Sequence, residues 1–401
     1  MLIDRKTFIR SGSLATASMM IPRFLQAFEH PVNVPAGNKV VVVIQLSGGN
    51  DGLNTIIPVR NDIYYRERQL LGIRRSDALP LTDDAGLHPS LIAFRALHEE
   101  GHLAMYNGVG YPNPDKSHFR SMDIWHSASD SNVILQTGWL GRYLDAKCAG
   151  SARPTKALEV DDTLSLALKG EQVKGLAVTD PRRLFASSGD AWLKNRMSAH
   201  QSMAQHEEAP VDYLYKTMAQ TMSSADYIYR QSRQHPTSAS YPDTELARGL
   251  KTIASLIYSE IDTKVYYISL GSFDTHVNQD AQQRRLFNEL NGAVKAFTDD
   301  LKANGRFNDL LLFTFSEFGR RVKQNASNGT DHGKANNMFL ISGALKRQGL
   351  LNPLPDLSRL DDGDLPHTLD FREVYATVLE RWLDTGAESI LGKKFSLLDF
   401  I

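Results

Sequence analysis

The sequence predicts an α/β fold, a doubly wound, mostly parallel central sheet flanked by helices. Continuous β-branched runs alternate with stretches whose apolar residues recur every three or four positions. This is the pattern of strands buried on both faces and joined by crossover helices. Three of the four strand candidates also run straight into polar residues capable of chemistry. In open parallel sheets that edge, outside the carboxyl ends of the strands, is where ligands sit.

The first strand is expected from Lys39 to Leu46, a run of valines closed by Ser47-Gly48-Gly49. The others are Val265 to Leu270, Leu310 to Phe315 and Asn337 to Gly343. Helices are expected over Asp243 to Ile261, Ala281 to Lys302 and Phe371 to Trp382, where 3–4 spacing lines one side with apolar residues. A further helix should start near Ser117 and run through Trp125, its hydroxyl at the helix N-terminus. The polar stretch 205–242 reads as a helical insertion or cap.

With 42% hydrophobic and 23% charged residues in 401, the chain can build a sizeable core without disulfide staples. The net charge of −1 gives no overall field that would attract nucleic acid or an anionic membrane. Cys148 is the only cysteine, so any metal must be held by carboxylates and imidazoles. The lone thiol is expected to be a small buried hydrophobe.

Residues 1–30 are set apart as an export signal. A basic start, Arg5 to Arg10, precedes a short apolar run from Ser11 to Ile21. That run is shorter than the roughly 20 residues a membrane-spanning helix needs, and the layout is that of a signal peptide. Asp4 to Gly12 resembles a twin-arginine signal, with Lys6 where the second arginine would stand. The expected destination is the periplasm or beyond, with cleavage near Gln26-Ala27; an uncleaved signal would be the chain's one membrane attachment. The folded domain is then 38–401.

Four segments carry candidate chemistry. Gly48-Gly49-Asn50-Asp51-Gly52 is a sharp turn that places Asp51 at the sheet edge, or simply a turn. Asp274-Thr275-His276 offers a carboxylate and an imidazole that can converge on one ion. Glu317 leaves the third strand, followed by Gly319 and Arg320, and His332 in Thr330-Asp331-His332-Gly333 can complete a site. The fourth segment, Asp115 to Ser121, offers Ser117 as nucleophile or plain N-cap, with Ser121 one turn on. His118, His126 and His88 read by default as partly buried, hydrogen-bonded histidines. No Gly-x-Ser-x-Gly elbow, Walker loop or His-Glu-x-x-His motif occurs.

The segments around Val43–Pro58, Ser117–Ser127, Thr137–Leu144, Gly271–His276, Thr314–Arg320, Thr330–Gly333 and Leu369–Leu383, taken in order, resemble the bacterial domain-of-unknown-function family 1501. That family is in turn similar to the alkaline phosphatase-like superfamily of phosphatases and sulfatases. The resemblance implies two metal ions: Asp51 and Glu317 on one, Asp274, His276 and His332 on the other. Zinc is implied, with manganese, magnesium or calcium open at the thinner Asp51–Glu317 position, where Phe318 stands in place of the superfamily's histidine and Asp331 could compensate. It also implies Ser117 as nucleophile and Arg320 as clamp for the substrate oxyanion. The expected activity is hydrolysis of phosphate or sulfate esters of a small molecule or polysaccharide. The competing expectation is a non-catalytic accessory protein of the cell envelope on a degenerate hydrolase fold. Besides its substrate, the expected partner is the twin-arginine export machinery, with no nucleic acid.

Overall fold

A computed structural model describes residues 37–148, 154–188, 224–259 and 261–401. The signal read at 1–30 lies outside them, as do the Cys148 side chain and residues 205–223 of the 205–242 segment. The described part of that segment is helical at 224–234. No helix among the described residues is long and apolar enough to cross a membrane.

The strands in chain order are β1 (Val40–Leu46), β2 (Ile56–Pro58), β3 (Leu79–Pro80), β4 (Ala85–Leu87), β5 (Leu103–Gly110), β6 (Ala157–Glu159), β7 (Leu176–Ala177), β8 (Val265–Leu270), β9 (Leu310–Phe315), β10 (Asn336–Ile341), β11 (Gly349–Leu350) and β12 (Leu369–Asp370). The helices that matter here are α1 (Gly52–Thr55), α2 (Ile92–Glu99), α3 (His118–Ser127), α4 (Trp139–Cys148), α5 (Glu245–Tyr258), α6 (Gln279–Ala303) and α7 (Phe371–Thr377).

Nine strands form the main sheet in the order β11-β5-β10-β9-β1-β8-β6-β7, with β12 beside β5. Every pairing is parallel except the two made by β10. The expected mostly parallel sheet is therefore present, with one reversed strand inside it. β2, β4 and β3 form a small antiparallel sheet apart from it.

β1 lies at the centre, and its valine run follows from that position. Val40, Val42, Ile44 and Leu46 face a core built with Phe94 of α2, Leu250 and Ile253 of α5, and Phe287 and Val294 of α6. Val41 and Val43 face the opposite core with Trp125 of α3, Leu140 of α4 and Val374 of α7. A strand covered by helices on both sides cannot alternate apolar with polar. Each such side chain contributes roughly 1.5–3 kcal/mol of burial.

β8 and β9 keep the boundaries the sequence predicts, while β10 begins and ends one or two residues earlier. The expected 371–382 helix is regular only to Thr377 and closes in a wide π-type turn over Val378–Trp382. Ser117 occupies the N-cap position of α3, but its side chain makes no capping bond.

At the end of β6, Glu159 is only 2% exposed, and Ser165 donates its backbone N–H to the carboxylate. Burial pushes this carboxyl up to about 7. The unfolded chain ionises the group near its ordinary value, so stability falls as pH rises from about 4.5 to 7 and is level above. Glu159→Gln, which has no charge to bury, should stabilise the protein above pH 7 by up to about 3 kcal/mol more than at pH 4. Urea unfolding of both proteins at the two pH values reads this; a pH-independent difference contradicts it.

Candidate metal centre

Five segments meet at the carboxyl edge of the sheet: the turn after β1, the loop from β5 into α3, the turn after β8, the turn after β9, and the approach to β10. Because β10 runs against its neighbours, its start lies where theirs end. The turn after β1 must pass very close to the turn after β8. Gly48 has φ +119, and a Cβ there would lie 2.4 Å from the Asp274 backbone nitrogen. Gly49, at φ +82, lies against the Phe318 ring in the same way. Only glycine fits both positions.

Arg320 ties these segments together. Its guanidinium donates to the carbonyls of Gly48, Gly49, Phe273 and Thr330 and to Asp274 Oδ1. The residue is 2% exposed. The sequence reading of Arg320 as an oxyanion clamp therefore meets a physical obstacle, since the guanidinium nitrogens are already engaged within the protein. Its backbone pairs with that of His332, which brings the Thr330–Gly333 loop alongside.

Asp274, His276 and His332 are brought together. His276 Nε2 lies 3.0 Å from Asp274 Oδ1, His332 Nε2 lies 3.1 Å from the same oxygen, and the two imidazole nitrogens are 3.0 Å apart. Outer partners set the tautomers. His332 Nδ1 is 2.8 Å from the Lys116 carbonyl, which can only accept. His276 Nδ1 is 3.2 Å from Asp331 Oδ1. With Nδ1 donating to these outer partners, each ring in its metal-ligating form turns an Nε2 lone pair toward the other ring and toward a carboxylate. Burial works against the charge on Asp274, but the Arg320 guanidinium outweighs it and holds the carboxyl at about 2. Asp331, opposed by burial in the same way, is lowered by Asn325 and His276.

This donor set fits a divalent ion. Ligand atoms bound about 2.0–2.1 Å from a tetrahedral centre are separated by roughly 3.3 Å. Carboxylate oxygen with two imidazoles suits zinc or another first-row ion, and each histidine carries the outer hydrogen bond usual for metal ligands.

His118, the first residue of α3, stands on the other side of Asp274. Its Nε2 is 3.4 Å from Asp274 Oδ2 and its Nδ1 is 2.9 Å from Glu317 Oε1. The ligand atoms of His118, Asp274 and His332 all lie within 4.8 Å of one another. The Glu317 hydrogen bond, opposed by burial, raises the His118 imidazole above its ordinary value. In the sequence alone His118 has only a weak claim, because its partner Glu317 is 199 positions away.

Asp51 and Glu317 are engaged elsewhere. Asp51 caps α1, accepting from the backbone N–H of Leu53 and Asn54 through Oδ1. Its Oδ2 meets Arg68 Nη1 at 2.5 Å and also accepts from Gln279. Neither Arg68 nor Asp51 exposes more than 1% of its side chain. Arg68 also donates to Asn54 Oδ1 and to the carbonyls of Val322 and Arg321. Glu317 accepts from Gly48 N–H as well as facing His118. Asp331, the suggested substitute ligand at this second position, serves His276 instead.

Ser117 is exposed, with Lys116 touching His332 through its carbonyl and His118 facing Asp274. Ser121 is fully buried and donates to the Asp115 carbonyl while contacting the Tyr111 hydroxyl. It is not available as a nucleophile. His126 is buried against Gln45 and Tyr267, and His88 accepts from Ser90 N–H, both as the default reading expects.

Removing one partner of a buried ion pair leaves an uncompensated charge, at a cost of about 3–5 kcal/mol. Arg68→Met should lose stability of that order in urea unfolding; a loss below about 1 kcal/mol would mean the pair is not desolvated.

Residues 38–385 match the sequence model of a family described as a protein of unknown function, DUF1501. No curated protein matches the sequence. Among solved structures, the chain is similar to the C-terminal periplasmic domain of EptC from Escherichia coli in complex with zinc, at 11% identity and a TM-score of 0.34, covering 77% of this chain and 74% of that one. It is also similar to the PsFucS1 sulfatase from Pseudoalteromonas sp., at 11% identity and a TM-score of 0.41, over 90% and 71% of the two chains. A protein in the alkaline phosphatase superfamily from Vibrio parahaemolyticus is similar at 9% identity and a TM-score of 0.34, over 83% and 70%. The match over residues 38–385 spans most of the sequence, and the chain belongs to the DUF1501 family.

Proposed function

We propose that this protein is an exported, metal-dependent hydrolase of phosphate or sulfate esters, with Asp274, His276 and His332 as the ligands of a divalent ion. One observation carries the reading. Three hydrogen-bond acceptors converge within 3.1 Å of one another while outer partners hold both histidines in the tautomer that presents lone pairs. Such an arrangement is repulsive until a cation occupies its centre. Zinc is the best match to the donors. Bound there, a divalent ion supplies a Lewis acid for a phosphoryl or sulfuryl oxygen and lowers the pKa of a nearby hydroxyl.

The protein's own groups divide the remaining tasks. Ser117 is the nucleophile, exposed between two residues that touch the triad. Its oxygen attacks phosphorus or sulfur, the alcohol oxygen leaves with the serine proton, and water then releases the acid from Ser117. Asp331 and the Lys116 carbonyl keep the histidine rings oriented. Arg320 fixes Asp274 and the surrounding turns. The basic and apolar stretches before Ile21 support export, with the twin-arginine machinery as partner.

A non-catalytic envelope protein is the second reading, favoured by the engagement of Arg320 with carbonyls where an anion clamp was expected. Zinc-loaded protein assayed on aryl phosphate and aryl sulfate esters separates the two. The hydrolase reading expects turnover that Ser117→Ala and His276→Ala abolish, and zinc affinity that Asp331→Asn weakens about 10-fold in calorimetric titration. Tight zinc binding without turnover of any ester would favour the second reading. Failure to bind zinc, manganese or magnesium would sink the metal-dependent one.

A further inference from the structure

The resemblance places a second ion between Asp51 and Glu317, and the residues at that position do not fit one. All the acceptor capacity of Asp51 that faces the protein is occupied: two backbone N–H groups on Oδ1, Arg68 and Gln279 on Oδ2. Arg68 is held from the far side by the carbonyls of Arg321 and Val322 and by Asn54, so it cannot swing away without stranding several buried partners. Gln279 is itself fixed, accepting from the Thr330 hydroxyl at 2.6 Å. Glu317 is 1% exposed, and its Oε1 is shared by Gly48 N–H and His118.

We infer that the Arg68 guanidinium occupies the role of the second cation, so that the centre binds one divalent ion per chain. The inference rests on the reading of Asp274, His276 and His332 as ion ligands, and adds that Asp51 and Glu317 bind none. A guanidinium in place of an ion supplies the positive charge that a buried aspartate requires, permanently and without dependence on metal supply. Glu317 is then a positioning residue. It accepts from His118 Nδ1 and so aims Nε2 at the free oxygen of Asp274.

The test is metal stoichiometry. Metal-stripped full chain is incubated with excess zinc chloride, freed of unbound metal by gel filtration, and analysed by inductively coupled plasma mass spectrometry. The inference expects one zinc per chain in the wild type, in Asp51→Asn and in Glu317→Gln, and none in His276→Ala. Two zinc ions per chain, falling to one in Asp51→Asn or Glu317→Gln, would overturn it and leave the triad reading standing. No zinc in the wild type would instead bring down the triad reading, and this inference with it. Should Asp51→Asn fail to fold, the wild-type ratio and Glu317→Gln decide.

Discussion

The structure at the carboxyl edge of the sheet turns on a mismatch of polarity. One carboxylate oxygen and two imidazole nitrogens face a common point, and the groups behind them fix their lone pairs toward it. Protein interiors and clefts normally place a donor against each acceptor. Here the donors converging on the same region belong to Arg320, and they serve the frame, four carbonyls and a single oxygen of Asp274. The turns after β1, β8 and β9 hold their conformations around that arginine, and the triad inherits its geometry from them.

Two arginines thus divide the electrostatics of this edge. Arg320 neutralises Asp274 from the protein side and leaves its other face to the histidines. Arg68 neutralises Asp51 completely. The difference lies in exposure: the Asp274 side chain is 45% exposed and that of Asp51 is 1%. A carboxylate that can still be reached from solvent can take an exchangeable ion; one sealed in the core needs a permanent partner. The same sheet edge therefore carries one acidic position suited to chemistry and one suited to structure.

The sheet was legible where the chain is buried on both faces. β1, β8 and β9 are apolar except at Gln45, Ser269 and Thr314, near their carboxyl ends, because helices bury both faces of the sheet. β5 is not visible as a strand in the sequence although all eight of its residues are buried, because Asn107-Gly108 inside it reads as a turn. Gly108 indeed takes φ +63, at a register shift against β10. β6, β7, β11 and β12 are two or three residues long, below any periodicity. Asp274, His276 and His332 could be singled out because each closely follows a strand or approaches one. The partners of Asp51, Glu317 and Arg320 could not, since they come from segments up to 272 positions away and sequence spacing carries no sign of them. Ser117 was placed correctly at a helix start, but the expected capping bond is absent.

The central claim is that the convergent triad is an ion site, and X-ray absorption at the zinc edge of zinc-loaded protein tests it most directly. The account predicts a first shell of nitrogen and oxygen at about 2.0–2.2 Å with the multiple-scattering signature of two or more imidazoles, lost in His276→Ala. A shell of oxygen alone, or an imidazole signal unchanged by that substitution, would contradict it.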